Sequence, residues 1–207
     1  HSDINEISAR IDLLNQQLQT LINQLNELLA QVNDPARTIR EGLLAYYPFN
    51  GSLYDYGGHS NNGTAVNSLS YGNDHAGNPG SALNLGSGYA TTNSDFFHFS
   101  YADSFSISFW VMDNGTQPGG RLLSTENPEG NFRIASYGGA VYAYCFGSAA
   151  YYLYDTLQLN TWVQITFVYN KGAEYLYKNG MLNKTATNSS TEGLHYGTAF
   201  TIGAKAA

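Results

Sequence analysis

Apolar residues recur at alternating intervals of three and four positions near the start of the chain. The series consists of Ile4, Ile7, Ile11, Leu14, Leu18, Leu21, Leu25, Leu28 and Val32. In a helix this spacing produces heptads with apolar a and d positions. An amphipathic helix packed on a globular domain is the alternative, but its apolar stripe would follow a period of about 3.6 residues instead of 3.5. The series therefore predicts a left-handed coiled coil, with these residues at the seam between helices.

The heptads favour three helices over two. Ile4 and Ile7 occupy the a and d positions of the first heptad, a combination that disfavours a dimer. Ile22, at an e position, widens the apolar stripe. Residues 10–15 (RIDLLN) resemble the Arg-apolar-x-x-apolar-Glu trimerisation motif of short coiled coils, although Asn15 stands where the motif has Glu. We therefore predict a homotrimer.

A proline ends the helical pattern and marks a domain boundary. Pro35 lacks an amide proton and disfavours helix in the residue before it. The predicted organisation is a coiled-coil stalk over residues 1–34, a linker over 35–41 and a β-rich head over 42–207.

From residue 42 onward, short runs of β-forming residues alternate with clusters of Gly, Asn, Asp and Ser, which is typical of an all-β sandwich. The predicted strands are Leu43–Phe49, Ala82–Leu85, Tyr89–Thr91, Phe105–Val111, Arg121–Ser124, Phe132–Ser136, Ala140–Phe146, Tyr151–Tyr154, Trp162–Tyr169, Ala173–Lys178, Met181–Thr187 and Phe200–Gly203. Asn179 and Gly180 separate two of these runs, and an Asn-Gly pair favours a type I′ hairpin turn.

Seven segments of the head follow a recognisable order. They are LAYYPFNG (44–51), LYD with NNGT (53–55 and 61–64), GSALNL (80–85), FSISFWV (105–111), NTWVQITF (160–167), YLYKNG (175–180) and FTIGA (200–204). In this order they resemble the laminin-G-like (LamG) domains of the concanavalin A-like lectin/glucanase superfamily. The resemblance implies an all-β jelly-roll sandwich of two packed sheets, here preceded by an N-terminal α-helical coiled coil.

The resemblance also implies a closing strand after residues 200–204, beside the opening strand. The chain stops at Ala207, so the head is expected to lack its last strand. Either the protein is truncated, or another polypeptide or a neighbouring subunit supplies that strand. An unpaired Leu43–Phe49 edge would promote aggregation.

Alternation along the strands predicts the core. One face of a predicted strand carries four apolar residues: Phe105, Ile107, Phe109 and Val111. We expect this face to lie between the two sheets. We also expect both tryptophans, Trp110 and Trp162, to be core residues and not exposed platforms for sugars. Cys145 lies in a β-forming run and is expected to be a buried thiol.

Charge and composition exclude several classes of function. A net charge of −7 opposes binding to nucleic acid and gives no attraction to anionic lipids. No apolar run reaches the roughly 18 residues that a membrane helix needs. The chain has one cysteine, which excludes an internal disulfide framework. Its 17 Tyr and 22 Gly, with only 12 % charged residues, are typical of a secreted β-rich protein.

The carboxylates do not fit an enzyme of this superfamily. Retaining glycoside hydrolases with this fold place catalytic carboxylates as Glu-x-Asp-x-Glu along one strand. The glutamates of the head and linker are Glu41, Glu126, Glu129, Glu174 and Glu192, and none has that spacing. The sequence also lacks a Gly-x-Ser-x-Gly elbow, a phosphate-binding loop and a His-Glu-x-x-His motif. We therefore predict no enzymatic activity.

The segment from Asp55 to Asn62 is a candidate calcium site. Its predicted ligands are Asp55, Asn61 and Asn62, which supply the hard oxygen atoms that Ca²⁺ prefers. In laminin-G-like domains a loop of this kind can hold calcium, often with help from the final strand, so the resemblance implies Ca²⁺ as a candidate ion here. Asx turns that shape the loop are the alternative interpretation.

Tyrosines in loops are the candidate ligand contacts. An amphipathic ring provides contact area at a low cost in conformational entropy. The candidates are Tyr54, Tyr56, Tyr151, Tyr152 and Tyr154.

The sequence therefore predicts a secreted or cell-surface binding and adhesion module. The stalk would form a homotrimer, and the heads would recognise a glycan or a surface protein. We expect the protein neither to bind nucleic acid nor to insert into a membrane. A structural subunit of a surface filament, with strand sharing between subunits, is one alternative. A phage-type fibre tip is another.

Overall fold

The heptad region forms a helix. In the computed structural model, α1 extends over Ser2–Val32. Six of its seam side chains are more than half exposed in the single chain: Ile7, Ile11, Leu14, Leu18, Leu21 and Leu25. The predicted helix is confirmed, whereas its association with other copies stays a prediction. An apolar stripe of this length is unfavourable in water unless another surface covers it.

The chain divides into two compact units, His1–Leu44 and Ala45–Ala207. The structure describes residues 2–32, 41–86, 88–93, 97–115, 119–126, 132–137, 139–145, 153–187 and 199–203. Most of the predicted linker, residues 35–41, lies outside the described residues.

Within the described residues of the second unit, the chain forms short β-strands. The strands are β1 (Thr64–Val66), β2 (Ser70–Gly72), β3 (Ala82–Asn84), β4 (Tyr89–Asn93), β5 (Ser104–Val111), β6 (Gly119–Glu126), β7 (Phe132–Tyr137), β8 (Ala140–Cys145), β9 (Leu153–Thr156), β10 (Val163–Asn170), β11 (Ala173–Lys178), β12 (Met181–Thr187) and β13 (Ala199–Ile202). They confirm the all-β sandwich that the alternating pattern predicts.

These strands pair into three antiparallel sheets. The large sheet has the order β1-β4-β13-β6-β7-β8-β9, and the small sheet has the order β12-β11-β10-β5. Strands β2 and β3 form a separate pair. The order places β13, near the end of the chain, between β4 and β6, so the large sheet closes through pairings between residues far apart in sequence.

Aromatic rings fill the space between the two sheets. Phe132 is fully buried, and its ring centroid lies 4.8 Å from that of Phe97 and 6.4 Å from that of Phe200. From the small sheet, Phe105 lies 5.9 Å away and Phe167 lies 6.1 Å away. Centroid separations in this range are favourable for aromatic pairs. Phe132 therefore joins the large sheet to the small one.

The alternation along β10 explains how this core is built. The side chains of Val163, Ile165, Phe167 and Tyr169 are buried, and the intervening ones are only partly covered. A strand with one face against the core produces this pattern, because its successive side chains point to opposite faces. Cys145, on β8, is also buried, as predicted.

The predicted type I′ turn is confirmed. Asn179 has φ 50° and Gly180 has φ 77°, and a type I′ turn requires positive φ at both central residues. The backbone N–H of Gln164, on β10, donates to Asn179 Oδ1 over 2.9 Å, so the strand that pairs with β11 also holds the turn.

The prediction of a strand at Leu43–Phe49 is wrong. Pro48 has no amide proton to donate, and Phe49 has φ 54°, outside the β region. The Tyr46 N–H donates to the Asp55 carboxylate, and its carbonyl oxygen accepts from the Tyr56 N–H. The backbone groups of this segment are therefore used by a loop and not by a strand ladder.

Candidate ligand-binding surfaces

The Asp55 loop, residues 54–62, is organised around one carboxylate. Asp55 Oδ1 accepts hydrogen bonds from the backbone N–H of Tyr46 (2.9 Å) and of Gly57 (2.7 Å). Its Oδ2 accepts from the N–H of Asn61 over 3.0 Å. The Asp55 N–H donates in turn to Asn62 Oδ1 over 2.9 Å. These bonds fix the path of the loop, which is the role that Asx turns play.

Gly57 is required at this point of the loop. A Cβ atom there would lie 2.8 Å from Asp55 Oδ1 and 3.1 Å from the Tyr46 nitrogen. Only glycine lets the backbone approach the carboxylate this closely.

The same bonds determine the electrostatics of the loop. Partial burial alone would raise the pKa of Asp55, but the backbone N–H groups of Tyr46, Gly57, Asn61 and His59 outweigh it and hold the pKa below its usual 3.8. Burial, followed by the negative charge of Asp55, raises the pKa of the nearby Tyr47 phenol. The loop therefore carries an ionised carboxylate at neutral pH.

Replacing Asp55 with alanine is expected to lower the free energy of unfolding by about 1–3 kcal/mol near neutral pH, because several amides lose a charged acceptor. Since the pKa of Asp55 is depressed in the folded chain, its contribution to the free energy of unfolding is present above pH 3.8. That contribution is lost as the pH falls through the pKa of Asp55 in the folded chain. The difference in the free energy of unfolding between wild type and the Asp55→Ala variant should therefore become smaller in acid. Urea unfolding at neutral pH and at about pH 3 measures both effects.

Asp113→Ala is the matched control, because Asp113 Oδ1 accepts the Gly115 N–H over 2.8 Å but joins no comparable network among the described residues. Its effect should be clearly smaller. An equal decrease in the free energy of unfolding of the two variants would show that Asp55 does not organise the loop.

Calcium binding by Asp55, Asn61 and Asn62 stays a prediction. The structure brings the three residues together, but it places the Asp55 oxygens against backbone N–H groups. Asn62 Oδ1 likewise accepts the Asp55 N–H. In the described part of the chain, no group of three or more His, Cys, Asp or Glu side chains could hold a metal ion.

Two of the predicted tyrosine contacts lie on the surface of the Asp55 loop. Tyr54 is 62 % exposed and Tyr56 is 57 % exposed, on either side of the anchored Asp55. Tyr154 lies on β9, apart from that loop in sequence. Tyr151 and Tyr152 are outside the described residues. Of the five candidates, the structure therefore places only Tyr54 and Tyr56 as an exposed pair.

The prediction that both tryptophans are core residues is wrong for Trp110, which is 42 % exposed. Phe109 and Val111 pack against the core as predicted, so Trp110 between them points to the other face of β5. Its ring stacks on that of His75, with centroids 4.0 Å apart and planes 15° apart. Trp162, just before β10, is half-buried.

Trp110 belongs to what we call the outer face, the side of β5, β10 and β11 that points away from the large sheet. Strand β5 contributes Ser104, Ser106, Ser108 and Trp110. Strand β10 contributes Gln164, Thr166, Val168 and Asn170. Strand β11 adds Tyr175 opposite Val168 and Tyr177 opposite Thr166. Sequence reasoning missed this face, although the strict alternation of β5 contained the signal.

A family profile matches more than half of the chain. The Laminin_G_3 profile, described as the concanavalin A-like lectin/glucanases superfamily, matches residues 84–207. No curated protein sequence matches the chain.

Solved structures similar to this one include binding domains of botulinum neurotoxins. Botulinum neurotoxin type C, which depends on interaction with two ganglioside molecules to enter cells, is similar with a TM-score of 0.63 and 16 % identity over 81 % of this chain and 43 % of that one. The binding domain of neurotoxin DC, in complex with rat synaptotagmin II, has a TM-score of 0.61 and 16 % identity over 78 % of this chain and 43 % of that one. The same domain in complex with SialylT gives the same values. The chain spans less than half the length of these structures, and the likeness establishes the fold.

Proposed function

Because the chain belongs to the concanavalin A-like lectin/glucanases superfamily, we propose that it is a non-enzymatic, extracellular binding module that recognises a glycan on a surface. The single observation that carries this proposal is the exposed aromatic pair Tyr54 and Tyr56 on a loop fixed by Asp55. Aromatic rings held on a rigid loop lose little entropy when a ligand binds.

The ligands of proteins with a similar fold support this proposal. Botulinum neurotoxin type C depends on gangliosides to enter cells, and the binding domain of neurotoxin DC forms complexes with synaptotagmin II and with SialylT. They indicate that this fold accepts glycans and proteins as ligands. Because the fold hosts many functions, the choice of a glycan rests on the residues of this chain. No described helix has the length and hydrophobicity needed to span a membrane.

The helix α1 supplies the second part of the proposal, a homotrimer. Its seam residues are exposed in a single chain, with Ile7 and Leu21 at 60 % each. Packing them against two further copies would remove this apolar surface from water. Three linked heads would bind a surface with many glycans far more tightly than one head, because the second and third contacts become intramolecular.

A glycan array incubated with the full chain tests the proposal. We expect selective binding to a limited set of oligosaccharides, and weaker binding by the double variant Tyr54→Ala/Tyr56→Ala. Tyr137→Ala is the control, because Tyr137 is 67 % exposed but lies on β7 in the large sheet. A structural filament subunit would bind no glycan, and that result would contradict the proposal.

A further inference from the structure

None of the side chains that β5, β10 and β11 contribute to the outer face is charged. Its residues on β5 and β10 are hydroxyl or amide residues, apart from Trp110 and Val168. The chain as a whole has a net charge of −7. These strand residues therefore offer no lysine or arginine to a carboxylate, sulfate or phosphate group.

Hydrogen bonds between neighbouring strands order the polar side chains of this face. Ser104 Oγ donates to Asn170 Oδ1 over 2.8 Å. Ser108 and Thr166 share a hydroxyl–hydroxyl bond of 2.8 Å, and Gln164 Nε2 lies 3.4 Å from Ser108 Oγ. Hydroxyl and amide groups both donate and accept, and each retains capacity for a further bond. The face therefore presents an ordered row of groups that match sugar hydroxyls.

An aromatic pair lies at one end of this row. Trp110 is opposite Gln164 in the sheet register, and His75 stacks on the indole with a centroid separation of 4.0 Å. The segment that carries His75 is fixed by its neighbour Asp74, whose Oδ1 accepts the backbone N–H groups of Ala76 (2.9 Å) and Asn78 (2.8 Å). The position of the aromatic pair is thus set by two independent parts of the chain.

The dimensions suit a chain of sugars. Adjacent strands lie about 4.8 Å apart and alternate residues about 6.6 Å apart along a strand. From Ser104 to Trp110 the face therefore extends for about 20 Å. Half-buried Tyr175 and Tyr177 lie on the neighbouring β11. A face of this length accommodates an oligosaccharide, whereas a protein partner would favour an apolar centre.

We propose that the outer face binds an uncharged oligosaccharide, with Trp110 packing against a sugar ring and the Ser, Thr, Asn and Gln side chains binding its hydroxyl groups. This inference rests on the proposed glycan-binding function and adds a site separate from Tyr54 and Tyr56. We expect an uncharged ligand because the strand residues of the face include no lysine or arginine and the net negative charge of the protein disfavours an anionic one.

The test uses the full chain on an array that carries both uncharged and sialylated oligosaccharides. Trp110→Ala should weaken binding to the uncharged oligosaccharides about tenfold or more, as truncation of an aromatic hot-spot contact does. Ser106→Glu, which places a charge on the face, should weaken the same binding. Ser70→Glu is its matched control, because Ser70 is an exposed strand serine on β2. Tyr137→Ala is the control for loss of an exposed ring, and circular dichroism verifies that each variant is folded.

Weaker binding to uncharged oligosaccharides in both outer-face variants, with both controls unchanged, is the expected result. If the folded Trp110→Ala and Ser106→Glu variants bind oligosaccharides as wild type does, the outer face is not a glycan-binding site. The same conclusion follows if only Tyr54→Ala/Tyr56→Ala loses binding. In both cases the proposed glycan-binding function stands. Binding of wild type to sialylated oligosaccharides alone would also overturn the inference and leave that function intact. If wild type binds no oligosaccharide, both are wrong.

Discussion

Replacing Phe132 with alanine is expected to lower the free energy of unfolding by about 3–5 kcal/mol. The side chain is 0 % exposed, and its ring is within 6.4 Å of aromatic rings from both sheets. Truncation removes the apolar contacts and leaves a cavity that rigid β-strands cannot fill. Because domains are stable by only about 5–15 kcal/mol, the variant should be close to unfolding.

Urea unfolding followed by tryptophan fluorescence measures this loss. Tyr137→Ala provides the control, since it truncates a 67 % exposed ring on the same strand, β7. Its effect should remain within about 0.5 kcal/mol, as for other surface substitutions. A similar small effect for Phe132→Ala would contradict the assignment of Phe132 to the core between the sheets.

Placing aspartate at Leu14 and Leu21 together is expected to convert a trimer into a monomer. Both residues occupy d positions, where three copies would bring the new carboxylates together inside the seam. The free-energy penalty for burying unpaired charges is far larger than the stabilisation gained by packing the remaining apolar residues. Light scattering coupled to gel filtration should show the mass of wild type at three chains and that of the variant at one.

Gln16→Asp/Asn23→Asp is the matched control for the stalk. It adds the same two charges with the same spacing of seven residues, but at f positions that face away from the seam. This variant should remain trimeric. A monomeric wild type, or dissociation of both variants alike, would contradict the proposed seam.

The parts of the fold that the sequence predicts are those with a local physical cause. The heptad series accounts for α1, and the positive φ angles of Asn179 and Gly180 account for the hairpin between β11 and β12. Strict alternation in Phe105–Val111 identifies which side chains face the core. Each of these patterns acts over a few residues and can be recognised without knowing the partner strand.

The errors arise where long-range contacts decide the structure. Strands β1 and β2 have three residues each, and β1 exists because it pairs with β4 more than 20 residues later. Leu43–Phe49 has good β-forming residues, yet the Asp55 carboxylate takes the Tyr46 N–H. Neither pairing leaves a local signal.

The site was predicted less well than the fold for the same reason. The composition of the Asp55 loop indicates an Asx-rich turn, and its hydrogen bonds agree with that interpretation. The outer face consists of residues from three strands that become neighbours only in the sheet. The expectation that Trp110 lies in the core follows from the usual burial of large aromatic residues, whereas the alternation along β5 puts Trp110 on the same face as Ser106 and Ser108.

The most direct test of the account measures binding to a glycan surface of varied density, for the wild-type chain and for the monomeric variant Leu14→Asp/Leu21→Asp. The glycan is an oligosaccharide selected on the array. We expect both proteins to bind at high density, with wild type retained at least about 100-fold more tightly because its heads engage together. Equal affinity of the two proteins at every density would contradict multivalent binding through the stalk, and no binding by either would contradict the glycan-binding head.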